Sequence, residues 1–167
     1  MNEHSPMLAR KVGNLHIVLS EVWIGPSSIP GGGLGLFASR DIPARTFFAQ
    51  YGGNVVSDQD AQRLRDTGQA THLLSLQKGC HLDSRVRPGF FNLRFYIDNH
   101  LVGGFANSRP RRADCNAEFK LYDHPGYQMT KHGDYLTRIC YLQTTRAARR
   151  GEELFVWYCR HFPYTLQ

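Results

Sequence analysis

Short runs of β-branched and aromatic residues, separated by glycine, proline, asparagine and aspartate, follow one another along this chain. Such runs predict short strands joined by turns. One segment differs: residues 58–67 have a helical pattern, with Asp58 as the N-cap, Ala61 and Leu64 on one face and Gly68 at the end. The chain is therefore predicted to be mainly β with one or two short helices. The predicted strands are residues 15–19, 21–24, 46–51, 95–97, 135–142 and 153–157.

The length and composition of the chain favour one compact domain. It has 167 residues, of which 41% are hydrophobic, and a chain of this length buries about two thirds of its unfolded surface. We assign residues 11–167 to a single domain and residues 1–10 to a flexible terminus. The chain shows neither a signal peptide pattern nor an apolar run long enough to cross a membrane, so we expect an intracellular protein.

Neither the cysteines nor the histidines have the spacing of a metal site. Cys80, Cys115, Cys140 and Cys159 are widely and irregularly spaced, unlike a disulfide framework or a C-x-x-C pattern. We therefore expect reduced thiols and assign no residue to a metal.

The net charge of +6 comes largely from arginine, which is concentrated at residues 109–112 and 146–150. Two interpretations are open. The clusters can be solvated loops, or they can form a surface that meets nucleic acid or nucleosomal DNA, because clustered basic charge attracts polyanions. No DNA-reading or RNA-reading motif accompanies them, so direct base recognition is not supported.

A glycine-rich segment, Gly31-Gly-Gly-Leu-Gly-Leu-Phe-Ala38, is the first candidate for a binding site. Closely spaced glycines let the backbone approach a ligand without a Cβ in the way. The segment is not a Walker loop, because no Lys-Ser/Thr follows, and it opens no helix as a dinucleotide fingerprint would. By itself it can equally be a tight turn that joins two strands.

Together with later segments, this glycine loop resembles the SET-domain lysine methyltransferases from about residue 24 to residue 159. The segments that carry the resemblance occur in the family's order: Gly33-Leu-Gly35, Leu36-Phe-Ala38, Asp41-Ile-Pro43, Gln50-Tyr-Gly-Gly53, Tyr96-Ile-Asp98, Gly104-Phe-Ala-Asn-Ser108, Asp114-Cys-Asn116, the Gly-Glu-Glu-Leu phrase at 151–154, and Tyr158. Ser108 replaces the motif's histidine, Gly104 replaces its arginine, and residues 109–113 are additional. Val156-Trp-Tyr158 is similar to the PR subgroup, several of whose members are weak enzymes or interaction modules.

The resemblance implies a fold and an activity. The fold would be several small twisted sheets, with the C-terminal strand tucked beneath the Asn107 segment in a knot-like crossing. The activity would be S-adenosylmethionine-dependent N-methylation of a protein lysine, with a histone tail as the substrate and the nucleus as the location. The substrate peptide would add to a sheet edge. Two alternatives stay open: a PR-like protein-interaction module that has lost turnover, and a basic domain that binds chromatin or nucleic acid.

The resemblance also implies roles for individual residues. Tyr158 and Tyr51 would be catalytic and would flank the lysine channel, while Phe119 and Val156 would tune how many methyl groups fit. The cofactor would be held by Gly33, Leu34, Gly35, Leu36, His72, Phe105, Ala106, Asn107, Ser108 and Trp157, with Phe162 as another stacking residue. Without the resemblance, Tyr51 and Tyr158 are half-buried strand residues and Asn107 and Asn116 make turns. Glu152 and Glu153 are predicted to be solvent-facing and structural.

Overall fold

The computed structural model describes residues 9–12, 15–18, 22–77, 79–85, 102–129 and 135–158, and their secondary structure is mainly β, as predicted. The predicted strand 95–97, the Tyr96-Ile-Asp98 segment, Cys159 and Phe162 lie outside these residues, as do residues 1–8 of the terminus assigned as flexible. Two short 3-10 helices, Gly103–Phe105 and Arg112–Asp114, accompany the other elements. Those elements are β1 Ala9–Val12, β2 Leu15–Val18, β3 Val22–Pro26, β4 Leu34–Ala38, β5 Phe47–Gln50, β6 Asn54–Val56, α1 Asp58–Asp66, β7 Leu73–Gln77, β8 Cys80–Asp83, β9 Ala117–Met129 and β10 Tyr135–Thr144.

The described strands form four small sheets, all of them antiparallel. β1 pairs with β2, and β3 pairs with β4. The other two sheets have three strands each, in the order β5-β10-β9 and β6-β8-β7. Each sheet is too small to bury a core alone, so the sheets pack against one another.

The core lies where these sheets meet. Its fully buried side chains include Leu36 from β4, Phe48 from β5 and Leu142 from β10. Leu154 and Val156, which are also fully buried, belong to residues 153–157, which we call the C-terminal segment. Burying a side chain of this size contributes about 1.5–3 kcal/mol. The C-terminal segment is therefore part of the core.

The α1 helix begins one residue earlier than the predicted cap implies. Ser57 is the N-cap: its backbone is extended and its Oγ accepts a hydrogen bond from Asp60 N at 3.2 Å. Asp58 is instead the first helical residue, and its carboxylate accepts from Gly79 N at 3.1 Å and lies 2.7 Å from His81 Nε2. Asp58 thus connects the helix to the β7-β8 hairpin.

Among the described residues, no helix has the length and apolar character needed to cross a membrane.

The predicted strand 153–157 is not a continuous strand, because its residues bridge to three different partners. Glu153 bridges Phe37 in β4, Phe155 bridges Asn107, and Val156 bridges Ala117 at the start of β9. Val156 N donates to Asn107 O at 2.9 Å, and Ala117 N donates to Phe155 O at 3.0 Å. The C-terminal segment therefore passes between chain segments that are distant in sequence, as the predicted crossing requires.

Asn116 fastens this crossing and does more than make a turn. Its side chain is 1% exposed. Nδ2 donates to Glu153 O at 2.9 Å and to Glu152 Oε1 at 3.0 Å, and Oδ1 accepts from Phe155 N at 2.8 Å. A buried amide that satisfies three polar groups holds the two segments in one register.

Candidate functional site

Three aromatic rings from distant parts of the chain meet beside the crossing. Tyr51 follows β5, Phe119 lies in β9 and Tyr158 follows the C-terminal segment. The Phe119 ring centroid lies 5.7 Å from that of Tyr51 and 5.1 Å from that of Tyr158, and both pairs meet edge to face. Edge-to-face packing is a favourable arrangement for aromatic rings. We call these three residues the aromatic cluster.

The two tyrosine hydroxyls of the cluster donate to backbone carbonyls. Tyr51 Oη donates to His72 O at 2.8 Å, and Tyr158 Oη donates to Ala106 O at 3.2 Å. Burial raises the pKa of Tyr51 to about 12. Burial, together with the nearby Tyr51, also raises the pKa of Tyr158 well above its usual value. Both phenols are therefore neutral at physiological pH and act as hydrogen-bonding groups.

Tyr51 is not a half-buried strand residue, because only 1% of its surface is exposed. Its backbone bridges Val102 and its N donates to Cys140 O at 2.9 Å. This pairing places the Tyr51 ring at the junction of the β5-β10-β9 sheet with residues 102–108.

The Ala106 carbonyl is positioned by the 3-10 turn Gly103–Phe105. Ala106 N donates to Gly103 O at 3.1 Å. A Cβ at Gly104 would collide with Ser84 Oγ, so this turn has no room for the arginine that the family motif carries. Ser108, which replaces the motif's histidine, accepts from Tyr158 N through its Oγ at 3.3 Å. Ser108, although it differs from the motif's histidine, thus still contacts Tyr158.

The glycine loop is a turn that joins β3 to β4, as one of the two interpretations proposed. Ser27 N donates to Gly33 O at 2.9 Å, and Gly33 has φ +62°. The turn also has a long-range partner: Asn107 Nδ2 donates to Leu34 O at 3.0 Å. Leu34 is 47% exposed, whereas Leu36 is fully buried and its carbonyl accepts from Leu154 N. The loop therefore presents its tip to solvent and anchors its far end in the core.

Glu153 is buried, contrary to the prediction that it faces solvent. Its side chain accepts hydrogen bonds from Ser27 Oγ at 2.6 Å, from Ser28 N at 2.7 Å, from Ser28 Oγ at 2.5 Å and from Asn107 Nδ2 at 3.3 Å. Burial by itself would raise the pKa of Glu153, but these donors outweigh it and the pKa is lowered. One ionised carboxylate thus joins the glycine loop to Asn107.

Glu152 points the other way, since neighbouring residues of an extended chain face opposite sides. Its carboxylate accepts from Arg146 Nη2 at 2.7 Å and from Arg149 N at 3.0 Å, in addition to Asn116. Burial opposes ionisation of Glu152, but the bonds from Arg146 and the backbone prevail and lower its pKa. Glu152 and Glu153 therefore both have a structural role, as predicted, but each acts in a different hydrogen-bond network.

The Glu153 network makes stability depend on pH. The ordinary pKa of a glutamate is near 4.5 and the folded value lies below it, so Glu153 stabilises the fold above about pH 4.5 and loses this contribution as the pH falls through the folded pKa. We expect the difference in unfolding free energy between the wild type and Glu153→Gln to be largest near pH 7 and to shrink below pH 4.5. Urea titrations of both proteins at several pH values measure this difference in unfolding free energy. A difference that stays constant down to pH 3 would contradict this role.

The remaining predicted site residues lie around the aromatic cluster in different environments. Burial lowers the pKa of His72, whose Nδ1 lies 2.9 Å from Thr71 Oγ1. Phe105 is partly buried against the core, and Val156 is fully buried. Trp157 lines a cleft of about 490 Å³ that Phe119 also borders. The structure thus brings the two tyrosines, Phe119, Ala106 and Ser108 together, and it places Trp157 at an adjoining cleft.

Sequence reasoning missed the part that Glu153, Ser27 and Ser28 play in linking the glycine loop to Asn107. The available signal was the Gly-Glu-Glu-Leu match itself, since two adjacent glutamates within an otherwise apolar segment need polar partners when the segment is buried. The Ser-Ser pair just before the glycines provides these partners.

Comparisons with known proteins identify a family and a fold. The SET domain family model matches residues 33–159. The chain is 29% identical over 137 residues to a Halocynthia roretzi protein named histone-lysine N-methyltransferase SETD7, a match that covers 82% of this chain and 31% of that protein. It also resembles a chain in the solved structure of a humanized mutant of the Chaetomium thermophilum Polycomb Repressive Complex 2 bound to the inhibitor GSK126, with TM-score 0.57 and 26% identity over 87% of this chain and 16% of that chain. This chain spans less than a third of either protein.

Proposed function

This chain belongs to the SET-domain family, whose model matches residues 33–159, and on that premise we propose that it is an S-adenosylmethionine-dependent methyltransferase acting on a lysine of a histone tail. Its small antiparallel sheets form the SET fold. The observation that carries the proposal is the aromatic cluster, in which Tyr51, Phe119 and Tyr158 meet beside the Ala106 carbonyl.

The aromatic cluster suits the binding and activation of a lysine amine. A free lysine is protonated at neutral pH, and only the neutral amine is a nucleophile. A channel walled by aromatic rings removes water from the amine and so lowers its pKa. Because Tyr51 and Tyr158 are themselves neutral, they can orient the amine through hydrogen bonds without adding a charge. The substrate lysine would enter between these rings.

The Ala106 carbonyl and the Tyr158 hydroxyl would position the transferred group. When bound, S-adenosylmethionine supplies a methyl group attached to a positively charged sulfur. Carbonyl and hydroxyl oxygens make weak C–H···O contacts to such a polarised methyl, and these contacts define a direction of approach. Holding the amine in line with the methyl is the main task of the protein in this reaction.

The residues around the glycine loop fit such a cofactor. A Cβ at Gly33 would meet no atom within 4 Å, so the loop borders open space, and Leu34 beside it is half-exposed. Gly33–Leu36 would hold the methionine end of the cofactor. The segment Phe105–Ser108 would hold the adenine and the amino group, with Trp157 or Phe162 stacking on a ring. His72 would also contact the cofactor.

Methyl transfer from labelled S-adenosylmethionine tests the proposal. The purified chain would be incubated with the labelled cofactor and, separately, with core histones, nucleosomes and a cell extract, and calorimetry would measure cofactor binding. We expect label on a histone lysine, which would be consistent with a nuclear enzyme. Label only on extract proteins would retain the methyltransferase and reject the histone substrate.

A second candidate, a PR-like interaction module without turnover, is favoured by the altered motif. Ser108 stands in place of the histidine, and residues 109–113 lengthen the segment between Asn107 and Asn116. Cofactor binding without any transfer would favour this module. Neither binding nor transfer would favour a basic domain that uses no cofactor.

Phe119 is expected to permit more than one methylation. Its ring lacks the hydroxyl that could hold a water beside the amine, so a methylated amine has room to turn and react again. We expect Phe119→Tyr to shift the products toward monomethyl-lysine by about tenfold, which corresponds to about 1.4 kcal/mol for one hydrogen bond. Mass spectrometry of the modified peptide measures the ratio. An unchanged ratio would remove Phe119 from this role.

A further inference from the structure

The two arginine clusters lie next to each other on one side of the molecule. Arg146 lines a cleft of about 580 Å³ together with Arg109 and Arg111, and it lines the cleft of about 490 Å³ together with Arg112. Arg149 belongs to the same loop as Arg146, and its backbone N donates to the Glu152 carboxylate that also accepts from the Arg146 side chain. Two loops that are separate in sequence therefore form one surface. We call it the arginine face and define it as Arg109, Arg111, Arg112, Arg146 and Arg149.

Glu152 and Asn116 hold one loop of the arginine face, residues 145–149, in place. The Glu152 carboxylate accepts from the side chain of Arg146, from the backbone of Arg149 and from Asn116 Nδ2. Thr145 N in turn donates to Asn116 O at 2.9 Å. In the other loop, Asp114 N donates to Arg111 O at 3.0 Å and Cys115 N donates to Arg112 O at 3.1 Å. The backbone of both loops is therefore held before any partner arrives, which lowers the entropic cost of binding.

The guanidinium groups of Arg111 and Arg112 can reach a partner. Their side chains are 79% and 73% exposed. Arg111 uses Nε and Nη2 to bond Asp114, which leaves N–H groups of Nη1 pointing elsewhere. Residues 109–118 and 146–153 together carry six arginines and four acidic residues. Of these carboxylates, Asp114, Glu118 and Glu152 pair with Arg111, Arg112 and Arg146. The surface therefore keeps an excess of positive charge.

We propose that the arginine face binds the phosphate backbone of duplex DNA without reading its sequence. Guanidinium groups match phosphate oxygens in geometry and charge. Of the aromatic rings beside these arginines, Phe155 is 7% exposed and is covered by Arg109, whose guanidinium carbon lies 4.2 Å from the ring centroid. That leaves Trp157 as the one accessible ring among the described residues of this surface, and one ring cannot stack successive unpaired bases, which favours duplex over single-stranded nucleic acid. The proposal does not depend on methyl transfer.

Fluorescence anisotropy with a labelled DNA duplex of about 20 base pairs, at salt concentrations between about 50 and 200 mM, tests whether the arginine face binds DNA. The variant is Arg111→Ala with Arg112→Ala. The matched control is Arg63→Ala with Arg65→Ala on α1, which removes the same charge and, like the variant, breaks an exposed i,i+3 ion pair. The variant breaks in addition the Arg112–Glu118 pair, which is longer at 3.8 Å. Circular dichroism melting checks that both variants fold.

We expect the wild type to bind the duplex with a steep salt dependence. The arginine-face variant should bind about tenfold more weakly at 100 mM salt, with a log–log slope smaller by about 2, one unit for each phosphate that an arginine no longer neutralises. The α1 control should differ from the wild type by less than about threefold. The proposal fails if the duplex does not bind at 50 mM salt, if both variants weaken binding equally, or if polyglutamate binds more tightly than the duplex at equal ionic strength.

Discussion

Tyr158→Phe should reduce kcat for methyl transfer by about a hundredfold or more, the usual result of removing one well-placed hydrogen-bonding group from a transition state. The wild-type hydroxyl donates to Ala106 O at 3.2 Å, within the aromatic cluster. The phenylalanine ring keeps the packing against Phe119 and loses only the hydroxyl. Cofactor affinity should therefore change by less than about threefold, and single-turnover transfer together with calorimetry separates the two effects.

The matched control for this change is Tyr122→Phe. Tyr122 packs edge to face on Phe47 at 5.6 Å in a separate cluster, so it loses the same hydroxyl away from the proposed channel. We expect its kcat to equal that of the wild type. If Tyr158→Phe retained more than a third of the wild-type kcat, Tyr158 would not be catalytic. If both variants lost activity equally, the cause would be stability and not chemistry.

Gly35→Ala is expected to lower the free energy of unfolding by about 2–4 kcal/mol, the range for disrupting a buried charge network. A Cβ at this position would collide with Glu153 Oε1 and approach Ser27 Cα to 3.3 Å. The carboxylate would have to leave its donors on Ser27, Ser28 and Asn107, and the glycine loop would keep only the bond from Asn107 Nδ2 to Leu34 O. Urea unfolding measures the loss of stability, and calorimetry should show that cofactor binding falls with it.

Gly33→Ala distinguishes crowding from backbone strain. Gly33 has φ +62°, and a Cβ there would meet no atom within 4 Å. The substitution should therefore cost only about 1 kcal/mol, the usual penalty for a left-handed backbone in a residue with a side chain. An equal loss for the two variants would mean that the Glu153 network contributes little. A smaller loss for Gly35→Ala would contradict the proposed collision.

The predicted helix shows which features depend on neighbouring residues and which depend on the tertiary structure. The pattern at residues 58–67 correctly places a helix, because helix periodicity and a terminal glycine are properties of neighbouring residues. The cap was assigned to Asp58 because aspartate is a good cap, but Ser57 caps the helix. Asp58 is used instead by Gly79 and His81, and that contact depends on where β8 lies in space.

The sequence by itself determined the mainly β character of this protein, since β-forming runs and turn residues act over a few positions, and it determined the order of the segments that identify the family. Only the tertiary structure decided that Tyr51, Phe119 and Tyr158 share one cluster, that Glu153 is buried while Glu152 holds the arginine face, and that the two arginine clusters are neighbours. The physical reason is the C-terminal crossing. It brings together residues that are up to 126 positions apart, such as Ser27 and Glu153, and so have no local pattern to reveal their contact.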